Sequence, residues 1–342
     1  MELISMEHLR REIVPCTKSN LGTDLMQKKI LLNGIFLAAT AIALWLSYRA
    51  LSKFSLNDIE MSLSAIPWTG FALSLFFCVV SYLCLTGFDY LGILYADSRL
   101  SWRKAAVASF VSLSIGHNVG LAALSSGAVR YRYYRRWGLK NEEVAKIILF
   151  CGATVGIGLI GLAGICLALF PQSAAKLGGM GSFAARLIGF ACLAAIGIYL
   201  VASAWLRGEI RIYKWCFSLP TLPIALAQVA VGIANFTAVA ACLFWLARSS
   251  AVFFETTTAY VMANLSALVA HVPGGLGVME ATISFIMGKD ASIGALISFR
   301  VVYFFIPLAI GIPVFAISEW YYSRLERRNN SSSNETVKAA TL

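Results

Sequence analysis

The sequence predicts an all-α polytopic membrane protein, with about six full transmembrane helices and two re-entrant helical hairpins, eight helical membrane segments in all. Three observations carry that prediction. Of 342 residues, 59% are apolar and only 13% charged, where soluble domains carry about 25% charged. Mean hydropathy is +0.75, so the solvent for most of the chain is lipid. The apolar residues also gather in runs long enough to cross ~30 Å of hydrocarbon. Such a composition excludes a secreted disulfide scaffold, a disordered chain and an ordinary cytosolic enzyme.

Taken in order, residues 1–29 form a polar cytoplasmic segment holding Arg10, Arg11, Lys18, Lys28 and Lys29. No small-residue cleavage site follows the first apolar run, which reads as a retained anchor. Full spans are predicted at about 30–48, 66–96, 144–170, 183–206, 219–246 and 291–321, within one membrane domain over 30–322. Residues 323–342, ending NNSSSNETVKAATL, are too polar to bury a core and read as a disordered cytoplasmic tail. Six of the eight cysteines lie inside apolar runs and none forms a CxxC pair, so neither disulfides nor a metal site are indicated. The spacing of Gly152, Gly156, Gly161 and Gly164 predicts close helix packing.

Two apolar runs differ from the rest. The first, about 105–126, is rich in Gly and Ser and carries His117 and Asn118 near its middle. The second, about 252–288, is interrupted by HVPGGLG, where Pro273, Gly274, Gly275 and Gly277 break a helix. His117 and His271 with those four residues are the predicted hairpin tips.

Charge decides how these runs sit. If both are hairpins that leave on the side they enter, Lys and Arg divide 21 inside to 6 outside; if both cross, the division is 15 to 12. The positive-inside rule prefers the first, with both termini cytoplasmic. The hairpins then enter from opposite sides and meet near the midplane, an arrangement found around transporter binding sites. Two ordinary kinked helices are the plainer alternative.

Ionisable groups within membrane segments cost about 2.5–3.5 kcal/mol each on insertion scales. Asp89, Arg130, Glu280 and Arg300 are four such groups, two acids and two bases. They fit a structural ion-pair network, or an anion path in which arginine's planar fork grips phosphate. The two histidines fit proton relays or hydrogen bonds to freed carbonyls. Asn118 suits a headgroup contact or a cap on the broken helix.

The net charge of +11 and the stretch RYRYYRRWGLK (130–140) predict a basic loop at 126–146 facing anionic membrane lipids, with no nucleic acid as partner. The chain has no P-loop, GxSxG, HExxH or strand-linked GxGxxG, so neither catalytic residues nor a cofactor are expected.

The segments GFDYL, SGAVRYRYYRRWGLKNEEVAKIILF, HVPGGLGVMEATI and FRVVYFFIPLAIG, with the Gly/Asn-containing hairpin between the first two, resemble a known family. It is the membrane domain of bacterial lysyl-phosphatidylglycerol flippase/synthetases and their stand-alone multi-pass relatives, matched over about 30–322. The resemblance implies a lipid flippase that moves aminoacylated phosphatidylglycerol or a similar phospholipid across the cytoplasmic membrane of a bacterium. Such transport masks negative surface charge and confers cationic peptide resistance. Asp89, Arg130, Glu280 and Arg300 match the polar positions considered important for flipping there, and Asn118 matches a further one. The two-part proteins carry a soluble transferase domain after the membrane part, while this chain stops about 20 residues past its last span. Either a separate lipid synthase is a partner that makes the substrate, or the chain moves a different lipid, or it shares only the fold; self-association into a homo-oligomer stays open. The alternative functions are a non-catalytic subunit that docks such a synthase, and an integral membrane transferase.

Overall fold

The computed structural model describes residues 57, 60, 64, 66–119, 122–172, 181–206, 209–212, 215–247, 252–270, 275, 277–288 and 293–340. Residues 1–29 and the predicted span at 30–48 lie outside them, as do His271, Pro273 and Gly274.

Long apolar runs become helices because a backbone in lipid must satisfy its own hydrogen bonds. The first described helix, α1 (Trp68–Tyr95), begins directly after Pro67, whose fixed φ suits a helix start. Next come α2 (Trp102–Val119) and α3 (Ala122–Arg136), then the long α4 (Asn141–Leu169). After α5 (Ser182–Trp205), the strands β1 (Glu209–Ile212) and β2 (Trp215–Ser218) lead into α6 (Leu222–Ala247). The pieces α7 (Phe253–Ala270) and α8 (Val278–Met287) precede α9 (Ile293–Arg300), a π-helical turn at Val301–Phe305, and α10 (Ile306–Ala340). Among the described residues, five helices are long and apolar enough to span a membrane: Trp68–Tyr95, Asn141–Leu169, Ser182–Trp205, Leu222–Ala247 and Gly294–Leu325. They coincide with the five predicted spans that fall among the described residues. The protein is a multi-pass membrane protein.

Helix α1 runs antiparallel to α6. Gly70 meets the carbonyl of Trp245, Ser81 donates to Asn235, and the Tyr95 hydroxyl donates to the Ser218 carbonyl. Helix α4 crosses α6 at Gly158 and Gly232, where a Cβ on either residue would run into the other's backbone. Small residues permit that approach, which maximises dispersion contact where lipid removes the hydrophobic drive between helices. Gly161 and Gly164 serve the predicted packing role against Ile233 and Leu193. At Gly152 and Gly156 an added methyl would meet nothing within 4 Å, so these two take no part in it. Gln228 of α6 bonds Thr154 of α4 and accepts from Tyr199 of α5, tying three helices in their apolar interior. The outer helix α5 is only 11% buried along its apolar window, so most of its surface suits lipid.

The two irregular runs each become a pair of helices. The first yields α2 and α3, packed side by side on either side of 120–121; the second yields α7 and α8. Gly275 and Gly277 have φ of +61° and +83°, a conformation only glycine adopts without strain, and Gly277 caps α8.

Three features depart from expectation. A two-stranded antiparallel hairpin, pairing Glu209 with Ser218 and Ile212 with Trp215, sits in a chain predicted to be wholly helical. Its four-residue strands, half β-branched or aromatic, are too short to register beside spans of over twenty residues. The expected loop at 126–146 is helix, turn and helix: α3 runs to Arg136, a turn follows at 137–140, and α4 begins at Asn141. Finally, α10 continues to Ala340 through the predicted tail, since RLERR at 324–328 prolongs the helical run with strong helix formers.

Candidate functional site

Four charged residues that the sequence marks as costly in lipid form two pairs. Asp89, one to two turns from the end of α1, is fully buried. Arg130 of α3 grips it with both prongs of its fork, Nε donating to Oδ1 at 2.7 Å and Nη2 to Oδ2 at 2.8 Å. The Tyr134 hydroxyl adds a third bond to Oδ1 at 2.7 Å. Arg130 and Tyr134 share a face because they lie four residues apart on a helix. Both charges are taken from water, with Arg130 only 4% exposed, and each is matched by the other. Breaking such a pair strands an uncompensated charge, which makes this centre a lock between α1 and α3.

The second pair is built differently. Glu280 stands in the first turn of α8, where its Oε2 accepts the Gly277 backbone N–H at 2.8 Å and its Oε1 accepts from Arg300 Nε. Arg300 also reaches the Gly275 carbonyl, and its guanidinium lies 5.4 Å from the Phe304 ring centroid. Here the side chains keep 12% and 28% of their surface. They border a pocket walled by Met279, Leu296, Phe299 and Phe304. A charged fork, a carboxylate and a glycine-shaped backbone thus meet an apolar wall at a broken helix.

Phe304 joins this pocket to the first helix pair. It belongs to the π turn, whose widened backbone leaves carbonyls in need of donors. Asn118 Nδ2 donates to the Phe304 carbonyl at 3.3 Å and to that of Ser114 at 2.9 Å. The structure therefore employs Asn118 on backbone carbonyls. His117 lies near the end of α2 with its ring against Tyr82, Tyr303 and Phe304, at centroid distances of 6.3, 6.0 and 6.2 Å. Tyr82 is the midpoint of α1 and Tyr303 shares a hydroxyl bond with Ser81, so His117 sits at mid-depth of the bundle. Of the other predicted tip residues, Gly275 and Gly277 bond the Arg300 and Glu280 side chains through their backbones, and His271, Pro273 and Gly274 fall outside the described residues.

The basic stretch is largely spoken for. Arg136 holds Glu319 of α10 at 2.7 and 3.1 Å, Arg132 pairs with the same carboxylate, and Arg135 donates to the Leu139 carbonyl. Tyr133 bonds Ser318 and Trp137 donates to Tyr322. Sequence reasoning missed Glu319, although it is an acid inside the predicted 291–321 span and could have been flagged with the others. It missed Tyr134 as well, whose position four residues after Arg130 was the available signal. Phe304 and the π turn carried no sequence signal. Among the described residues, no three His, Cys, Asp or Glu side chains gather as a metal site requires.

No family model matches the chain. It is 31% identical over 294 residues to a protein of Synechocystis sp. called "Uncharacterized protein slr0712", covering 83% of this chain and 90% of that one. It is 28% identical over 264 residues to the "Inner membrane protein YbhN" of Escherichia coli, covering 74% and 81% respectively.

Proposed function

Because the chain belongs to the same family as the Synechocystis protein, with an inner-membrane protein of Escherichia coli as a further relative, we propose that it is a lipid transporter of the bacterial cytoplasmic membrane. It moves a phospholipid between leaflets, and its activity is transport rather than catalysis. The observation that carries this reading is the partly exposed Arg300–Glu280 pair beside an apolar pocket at a broken helix. In that setting a phosphate replaces Glu280 as partner of Arg300, since a guanidinium fork matches two phosphate oxygens as well as two carboxylate oxygens. Glu280, still held by the Gly277 N–H, is left to meet a cationic aminoacyl head. The acyl tails stay in the bilayer along the apolar wall.

Two further points support the reading. On this reading the helix pairs α2–α3 and α7–α8 are re-entrant hairpins that enter from opposite sides, with both termini cytoplasmic. Tyr95, Lys104, Trp137, Ser218 and Glu319 gather at one end of the bundle, which groups the Lys- and Arg-rich segments together as the positive-inside rule requires. The resemblance to lysyl-phosphatidylglycerol flippase domains points to phosphatidylglycerol or its aminoacylated form as substrate. Asp89 and Arg130 hold the hairpin in place in this mechanism.

Purified protein in liposomes with fluorescent phosphatidylglycerol, with and without a lysyl headgroup, tests the proposal through quenching from outside. Flipping faster than in empty liposomes, abolished by Arg300→Ala in a folded protein, is the expected result. Equal rates with and without protein for both lipids would overturn it.

A further inference from the structure

Two polar atoms in the centre of the bundle have no hydrogen-bond partner among the described residues: Nδ1 of His117 and the hydroxyl of Tyr82. Tyr82 is only 8% exposed, and its ring meets the imidazole edge-on. Buried polar atoms are nearly always satisfied, and of those left without a partner among the described residues the imidazole nitrogen is the one that can take up a proton near neutral pH. The surroundings narrow what that is. Tyr303 stacks on the imidazole from the π turn, and Phe304 closes it off edge-on. From α3 the charged group acting on the ring is Arg130, already neutralised by Asp89. On the far side of Phe304 stands Arg300 with Glu280. A lone imidazolium in this shell lacks a counter-charge and is costly.

We propose that His117 is a proton-binding site coupled to anion binding at Arg300. When an anionic headgroup occupies the pocket, one face of Phe304 turns toward negative charge, and a proton from solvent binds the Nδ1 lone pair to give imidazolium. When the anion leaves, the proton returns to solvent; only that N–H bond forms and breaks. Coupling of this kind is reciprocal, so lipid raises proton affinity and low pH raises lipid affinity. It supplies the transporter with an ion to couple to. This inference rests on the lipid-binding reading of the Arg300 pocket.

Isothermal titration of the full chain in detergent with dioctanoyl phosphatidylglycerol, in phosphate and in Tris near pH 7, tests it. The two buffers differ in ionisation enthalpy, so proton uptake appears as a buffer-dependent binding heat. The wild type is expected to show that dependence, and folded His117→Gln to bind lipid with heats that agree between buffers. His117→Asn serves if the glutamine variant fails to fold. Lipid binding by the wild type without buffer dependence would overturn the proton site and leave the lipid reading standing. Uptake that persists in the folded His117 variant would also overturn it, by placing the proton elsewhere. Absence of lipid binding would overturn the lipid reading and this inference with it.

Discussion

Asp89 with Arg130 and Glu280 with Arg300 are chemically alike, yet the first is sealed between helices while the second borders a pocket. The difference lies in the backbone that presents them. Asp89 and Arg130 project from unbroken helices, so the carboxylate is saturated by a bidentate arginine and a tyrosine. Glu280 and Arg300 stand beside a glycine-shaped break and a π turn, where helix ends leave both backbone groups and space. Regular helices bury a charge pair as a fixture, and interrupted ones keep it reachable.

Separating the partners should show the contrast most strongly. Asp89→Leu leaves Arg130 buried without a counter-charge, a loss of about 3–5 kcal/mol. Thermal unfolding in detergent should report a large drop in Tm and in folded yield. The double variant Asp89→Leu/Arg130→Met removes both charges and should recover much of that loss, because a buried pair replaced by apolar groups is often near neutral. A double variant as unstable as the single one would mean that the pair does more than balance itself.

Close packing gives a smaller effect. Gly158→Ala pushes a methyl into the backbone of Gly232 and should destabilise by about 1–3 kcal/mol. The same change at Gly156, where nothing lies within 4 Å, should leave Tm nearly unchanged. Milder than Gly158→Ala is Arg300→Ala, expected to cost about 1 kcal/mol because its partner keeps contact with water. That a change so mild in folding should abolish transport is what sets this pair apart from Asp89 and Arg130.

Sequence alone exposed the spans because twenty-residue apolar runs have one interpretation in lipid. It exposed the four charged residues for the same reason: Asp89, Arg130, Glu280 and Arg300 stand out where charge is costly. It left their pairing open, since Asp89 and Arg130 are 41 positions apart and only the tertiary fold brings their side chains together. Composition likewise shows that HVPGGLG breaks a helix but not that Gly275 and Gly277 turn there with positive φ. The role of Asn118 was undecidable without the π turn, because the carbonyl of Phe304 that it satisfies is exposed by tertiary geometry. A basic stretch such as RYRYYRR looks like a solvated loop until Glu319 from a distant segment engages Arg132 and Arg136.

The division of labour between the two pairs is tested most directly by native mass spectrometry of retained phosphatidylglycerol. Arg300→Ala and Asp89→Leu/Arg130→Met should be compared under conditions where both remain folded. Loss of bound lipid in Arg300→Ala, with retention in the double variant, is the expected result. Retention in Arg300→Ala, or loss only in the double variant, would contradict the assignment of lipid to the Arg300 pocket.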